Sequence, residues 1–347
     1  LPRKFTFRRY RTALLIGFMV LVFLFMNYIS WPYVLYGPGS AEPVHPRVET
    51  GHKLDEKGQL LFTTVSTYSR PNLFAIIYAW WDPRMDIETQ EKATGGATNL
   101  GAYRNLLAWM RDSSEANALI AAYNAMKRPI DVKEQGVIVV RFLPETKARE
   151  SGLQEGDIIT SIDGKQAKTV QELVTFISSK KPGDKVKVAG KRGKESFSAT
   201  VPLILMPQTN RTGIGFQNDT VLNVTPPDPV KFDFEDTGGP SAGLMMTLEI
   251  VAQLTGEDLT RGYRIAGTGT IDAEGKVGQI GGIQYKLMAA DREKADYFLV
   301  PYDEENGLVN WKQAQETVKE LELKPKLVPV ADLAQAMEFL EKLQPKR

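Results

Sequence analysis

The stretch "EDTGGPSAGLMMTLEIVAQLTG", residues 235–256, sets two glycines, a proline and a serine in front of an almost unbroken apolar run. Pro240 near a first turn and Gly256 just past the last periodic residue predict a helix over residues 240–254. Apolar residues on most of its sides assign that helix to a core. Ser241 then stands at the first turn, where glycines let a bound peptide approach the backbone and free amides can hold negative charge on a carbonyl oxygen. The amides of Gly239 and Ser241 are the candidate oxyanion donors. Taken alone, the same residues also describe ordinary helix capping.

Whether Ser241 is a nucleophile depends on a base. The 347 residues contain no cysteine, which removes disulfides, thiolate metal sites and cysteine nucleophiles together. The two histidines, His45 and His52, lie far in sequence from Ser241, so a Ser-His-Asp triad has little to draw on, and no HExxH zinc sequence occurs. A lysine kept neutral by burial is the usual substitute. Lys286 is the candidate: Ile283, Leu287 and Ala290 stand with it at helical spacings, so it borders an apolar stripe. A lysine at such an edge is also a common snorkelling surface residue.

"GGPSAG" at 238–243 and "GTGTIDAEGKVGQIGGIQYK" at 267–286, with forty-five residues from Ser241 to Lys286, together resemble the proteolytic domain of the Lon protease family over roughly residues 210–345. The resemblance implies a Ser-Lys dyad that hydrolyses peptide bonds, with Ser241 as nucleophile, Lys286 as general base and Thr268 orienting the lysine amine. Many members read Asp-Gly-Pro-Ser; here Gly238 takes the Asp position and Asp236 lies two residues further back. No Walker A sequence is present, so an ATP-independent enzyme is expected. Homo-oligomers, commonly hexamers, follow from the resemblance alone.

Residues 136–203 alternate short strands with one helix, "VQELVTFISSK", around "SGLQEGDIITSIDGK", and resemble a PDZ domain. Such a fold implies a groove that takes extended peptides by strand addition. No Gly-Leu-Gly-Phe type loop precedes Val137. Further back, "QLLFTTVST" and "NLFAIIYAWW" read as strands separated by a turn, and residues 103–126 as one helix or two broken near Asp112.

The N-terminal segment carries five basic residues in "LPRKFTFRRYR", then no charge from Thr12 to Ala41. About 20 apolar residues span a bilayer as a helix, and the flanking charges set the N-terminus on the cytoplasmic side. With 43 basic and 42 acidic residues, the balance gives no support for a nucleic-acid partner.

The expected fold is α+β, with a Lon-type proteolytic domain and an inserted or tightly packed PDZ-like domain. Its expected division is a cytoplasmic basic tail over 1–11, a transmembrane helix over 12–36 and a linker over 37–54. The protease body then begins over 55–126, followed by the PDZ-like domain over 127–206 and the Lon-like domain over 207–347. The combination resembles membrane-anchored, PDZ-containing Lon-like peptidases. It implies an extracytoplasmic serine endopeptidase acting on peptides or unfolded segments, needing no cofactor or metal. A catalytically silent membrane adaptor that tethers partners through the PDZ groove is the binding-class alternative.

Overall fold

The computed structural model describes residues 7–207 and 209–346. The chain divides into two compact units, one of residues 1–38 and 65–96, the other of residues 39–64 and 97–347.

In the first unit, the helix Phe7–Tyr28 carries its apolar side chains outward, with Leu14, Phe18 and Met19 all exposed. It ends earlier than the expected 12–36: Pro32 disfavours helix at Trp31, and the strand Tyr33–Pro43 follows, pairing antiparallel with Asp86–Thr89. Residues 1–6 of the expected basic tail lie outside the described residues. "NLFAIIYAWW" is a helix, Leu73–Trp81, and not a strand. Asn72 caps it by accepting from the Ala75 amide at 2.9 Å, and a run apolar at every position has no period by which to tell the two apart.

The second unit is built on four parallel strands, in the order Lys326–Val330, Tyr297–Pro301, Arg264–Gly267 and Gln59–Ser69. Alternation along each strand sends residues to opposite faces. Leu60, Phe62, Ile265 and Leu299 join one core with the helices Leu100–Ala125 and Gly243–Thr255. Leu61, Ala266, Phe298 and Val300 join another with the helix Ile283–Arg292. Helix and strand are mixed as expected, but the parallel, doubly covered sheet goes beyond the sequence reading. Parallel neighbours need crossovers, and the helix Val309–Leu321, which the sequence reading missed, is one of them.

The stretch expected as a linker, 37–54, is instead built into this fold. It continues as the strand Tyr33–Pro43, a 3-10 turn His45–Arg47, and a two-residue strand Val48–Glu49 paired with Lys231–Phe232. Val44 and Val48, two isolated valines among turn residues, are buried in the first core. Residues 100–125 form one helix without a break at Asp112.

Between the two halves of this unit in sequence lies an antiparallel sheet in the order Phe216–Thr225, Asp131–Phe142, Asp157–Ile162, Lys185–Arg192, Glu195–Pro202. Val137, Ile159, Val186 and Val188 point into its own core against Leu173 and Ile177 of the helix Val170–Ser178. The expected boundary at 206 falls inside it, because Phe216–Thr225 pairs with Asp131–Phe142 along its whole length. Leu248 sits fully buried in the middle of the helix Gly243–Thr255. Leu248→Ala is expected to lower stability by about 2–5 kcal/mol in urea unfolding, whereas Leu205→Ala, at a half-exposed side chain, leaves it within about 0.5 kcal/mol.

Candidate active site

Ser241 lies in the turn immediately before the helix Gly243–Thr255, so the expected start at Pro240 is shifted by a few residues. Gly239 adopts φ +83°, a left-handed conformation that glycine takes without strain, and this turns the chain into Pro240. Gly243 permits the next close approach: a Cβ there would lie 2.9 Å from Ser114 Oγ and 3.0 Å from the Ile271 amide nitrogen. From the long helix, the Ser114 hydroxyl donates to the Pro240 carbonyl at 3.0 Å. The serine turn is thus held from the helix below and from the segment 267–271 beside it. At the far end, Gly256 closes the helix with φ +73°.

The lysine helix covers the opposite face of the parallel sheet. The serine and lysine elements therefore meet only beyond the carboxyl ends of the strands, where ligands of parallel α/β sheets bind. Lys286 is 3% exposed. Its Nζ lies 2.9 Å from Ser241 Oγ and donates to the Thr63 carbonyl at 2.7 Å. Burial lowers its pKa from 10.5 to about 7. A neutral amine has two N–H groups and one lone pair. With one N–H given to Thr63, the lone pair is free for the serine hydroxyl.

Thr268 takes a different place from the one expected. Its hydroxyl donates to the Ser241 carbonyl at 3.0 Å, and the Gly269 amide donates to the same oxygen at 2.9 Å. Thr268 therefore positions the serine, while the Thr63 carbonyl orients the amine. Nothing in the sequence distinguished Thr63, because a backbone acceptor leaves no residue-type signal. Among the described residues, the amides of Gly239 and Ser241 meet no hydrogen-bond acceptor. Asp236 is held in a two-pronged ion pair with Arg47 at 2.7 and 3.1 Å.

A cavity of about 740 Å³ opens beside the serine turn, lined among others by Trp109, Ser114, Asn218, Pro240 and Ile271. Its walls come from the long helix, the antiparallel sheet and the two sides of the active-site segment.

His45 does not reach Ser241. Its Nδ1 lies 2.8 Å from Glu249 Oε1 on the serine helix, and Glu56 completes a group whose ligand atoms lie within 4.8 Å of one another. Gln253 Nε2 also donates to that Glu249 oxygen at 2.6 Å. Burial, then the charges of Glu249 and Asp258, push the Glu56 carboxyl up to about 8, so it retains a proton at neutral pH and relieves the repulsion between the two carboxyls.

The Lon protease (S16) C-terminal proteolytic domain matches residues 176–338, and the PDZ domain matches residues 119–203. The chain carries a Lon-type proteolytic domain and a PDZ domain. The matches overlap at 176–203, where the backbone is the end of the PDZ helix and two strands of the antiparallel sheet. The Lon protease of Buchnera aphidicola subsp. Baizongia pistaciae is 35% identical over 117 residues, 33% of this chain and 14% of that protein. That of Azospirillum brasilense is 43% identical over 70 residues, 20% of this chain and 8% of that protein. The chain thus spans a small part of the length of these relatives. The PDZ domain of an SdrC-like protein from Listeria monocytogenes is 35% identical, covers 25% of this chain and 92% of its own, and superposes with a TM-score of 0.24.

The buried amine of the Lon-type domain gives a prediction about stability. Its pKa is near 7 folded and about 10.4 unfolded, so between those values the unfolded state binds more protons and wild-type stability rises with pH. Lys286→Met is therefore expected to be more stable than wild type at pH 7 and below, the difference shrinking toward pH 10. Chemical unfolding at pH 6, 8 and 10 measures it.

Proposed function

We propose that this chain is a serine endopeptidase in which Ser241 attacks a peptide carbonyl as Lys286 takes its proton. The observation that carries this reading is the 2.9 Å approach of Nζ to Oγ by an amine that burial holds near pKa 7. A base is most effective when its pKa lies near the working pH. The amides of Gly239 and Ser241 then donate to the developing oxyanion, a contribution of several kcal/mol in comparable sites, about 2.7–4 for one donor. The amine returns its proton to the leaving nitrogen, and water releases the acyl group from Ser241.

In this reading the antiparallel sheet, residues 131–225, is a PDZ domain inserted into a proteolytic body formed by residues 39–64, 97–126 and 226–346. Its groove presents extended peptides or unfolded segments to the cavity beside Pro240. The 347 residues contain no Walker A sequence, and the proposed chemistry draws on no nucleotide. Tyr10–Tyr28 is long and apolar enough to cross a membrane, with mean hydropathy 1.8, a property a signal sequence near an N-terminus shares. We read it as a retained anchor. The basic residues before it keep the N-terminus cytoplasmic and the proteolytic body outside the cell membrane. Assembly into a homo-oligomer, with a hexamer as the form expected from the family, belongs to the same proposal.

Ser241→Ala and Lys286→Met are each expected to reduce turnover of an unfolded protein substrate by roughly 10³-fold or more. Equal turnover by wild type and both variants contradicts the proposal. With chemistry limiting, kcat is expected to rise with pH through about 7, as the amine loses its proton, and then to level. A flat profile from pH 6 to 9 removes Lys286 as the base.

A further inference from the structure

Within the first unit, the helix Leu73–Trp81 presents its apolar side to the outside. Phe74, Ile77, Tyr78 and Trp81 recur at helical spacings of three and four, so they form one stripe, and all four are exposed. Trp80 beside them is 83% exposed and Trp81 80%. The buried residue is the small Ala79. This is the reverse of a helix on a water-soluble surface, where the apolar stripe faces the core and the polar one faces solvent.

The position of this helix names its surroundings. The Phe74 ring packs on the Phe23 ring of the apolar N-terminal helix, with centroids 5.5 Å apart. One residue before the short helix, Asn72 Nδ2 donates to Asn27 Oδ1 at 3.1 Å. Phe23 lies five residues before the end of the N-terminal helix at Tyr28, about 7.5 Å along its axis. An interfacial helix sinks its apolar face about 5–10 Å into the headgroup and acyl boundary. Beyond Trp81 the chain turns polar at once: Asp82 accepts from the Tyr78 hydroxyl at 3.1 Å and pairs with Arg84 at 2.7 Å, both exposed contacts. Tyrosine and tryptophan next to such a charge step are the composition of a membrane–water interface.

We propose that Leu73–Trp81 is a second membrane element, lying in the lipid interface beside the membrane-crossing helix with Phe74, Ile77, Tyr78, Trp80 and Trp81 among the lipids. The occupant of this face is the phospholipid leaflet. The inference rests on the reading of the N-terminal helix as a retained anchor, and it deepens that reading: the chain holds the bilayer at two contacts, so that the first unit is fixed in depth and in rotation about the anchor. A single helix leaves rotation about its own axis open.

The absence of cysteine from the chain makes the test clean. Single-cysteine variants Tyr78→Cys, Trp81→Cys, Leu21→Cys and Arg84→Cys of the full chain are spin-labelled in liposomes of phosphatidylcholine and phosphatidylglycerol. Collision with oxygen, which concentrates in lipid, is compared with collision with a water-soluble nickel chelate. The expected result is oxygen-dominated relaxation at 78, 81 and 21, and nickel-dominated relaxation at 84. Nickel-dominated relaxation at 78 and 81 with oxygen-dominated relaxation at 21 overturns the inference and leaves the anchor standing. Nickel-dominated relaxation at 21 as well overturns both. Shielding of 78 and 81 from both reagents means that protein, a second copy or another chain, covers the stripe, and this too overturns the lipid assignment.

Discussion

A lysine amine taken out of water is the constraint around which the second unit is arranged. A charged ammonium with no carboxylate partner is costly in an apolar interior, and the amine's response is to give up its proton. Among the described residues Lys286 forms no ion pair with an acidic side chain; its contacts are a backbone carbonyl and a serine hydroxyl. Partners of that kind can hydrogen-bond a neutral amine without stabilising its charged form enough to restore an ordinary pKa. The same burial that makes the lysine a liability for folding brings its pKa close to neutral pH.

The sheet supplies the burial and the meeting point. Because its strands Lys326–Val330, Tyr297–Pro301, Arg264–Gly267 and Gln59–Ser69 are parallel, their carboxyl ends gather on one edge, where the turn before one covering helix brings Ser241 and the helix on the opposite face brings Lys286. The serine side is held by Thr268, Gly269 and Ser114, all acting on backbone carbonyls of Pro240 and Ser241. These contacts fix the turn without touching the hydroxyl. Ser241 Oγ lies 2.9 Å from Nζ, and the amides of Gly239 and Ser241 meet no acceptor among the described residues. The antiparallel sheet contributes a wall of the adjoining cavity through Val140, Gln217, Asn218 and Asp219, so the module read as a PDZ domain borders the space where a substrate chain would lie.

Much of this site was legible because its signals are local or paired. Gly-Gly-Pro-Ser before an apolar run marks a helix start, and the forty-five residues to Lys286 match a second motif. The contacts that complete the site were not legible, since Thr63 acts through its carbonyl and Ser114 reaches Pro240 from a helix 126 residues away in sequence. Thr268 was expected to orient the lysine amine, whereas its hydroxyl donates to the Ser241 carbonyl, because a motif gives proximity and not the direction of a hydroxyl. The fold failed to read where periodicity is absent. Leu73–Trp81 is apolar at every position, residues 37–54 hide two buried valines among turn formers, and Val309–Leu321 is required only once the strands on either side of it are known to be parallel. His45 and Glu249, 204 residues apart, meet through that same topology.

The proposed chemistry depends most directly on the protonation state of one amine. Carbon-13 labelling of lysine, with the Lys286 ε-carbon assigned by loss of its signal in Lys286→Met, allows its titration to be followed in the folded full-length chain. A midpoint near pH 7 is expected. A midpoint near 10.4, the value of a solvated lysine, contradicts that chemistry.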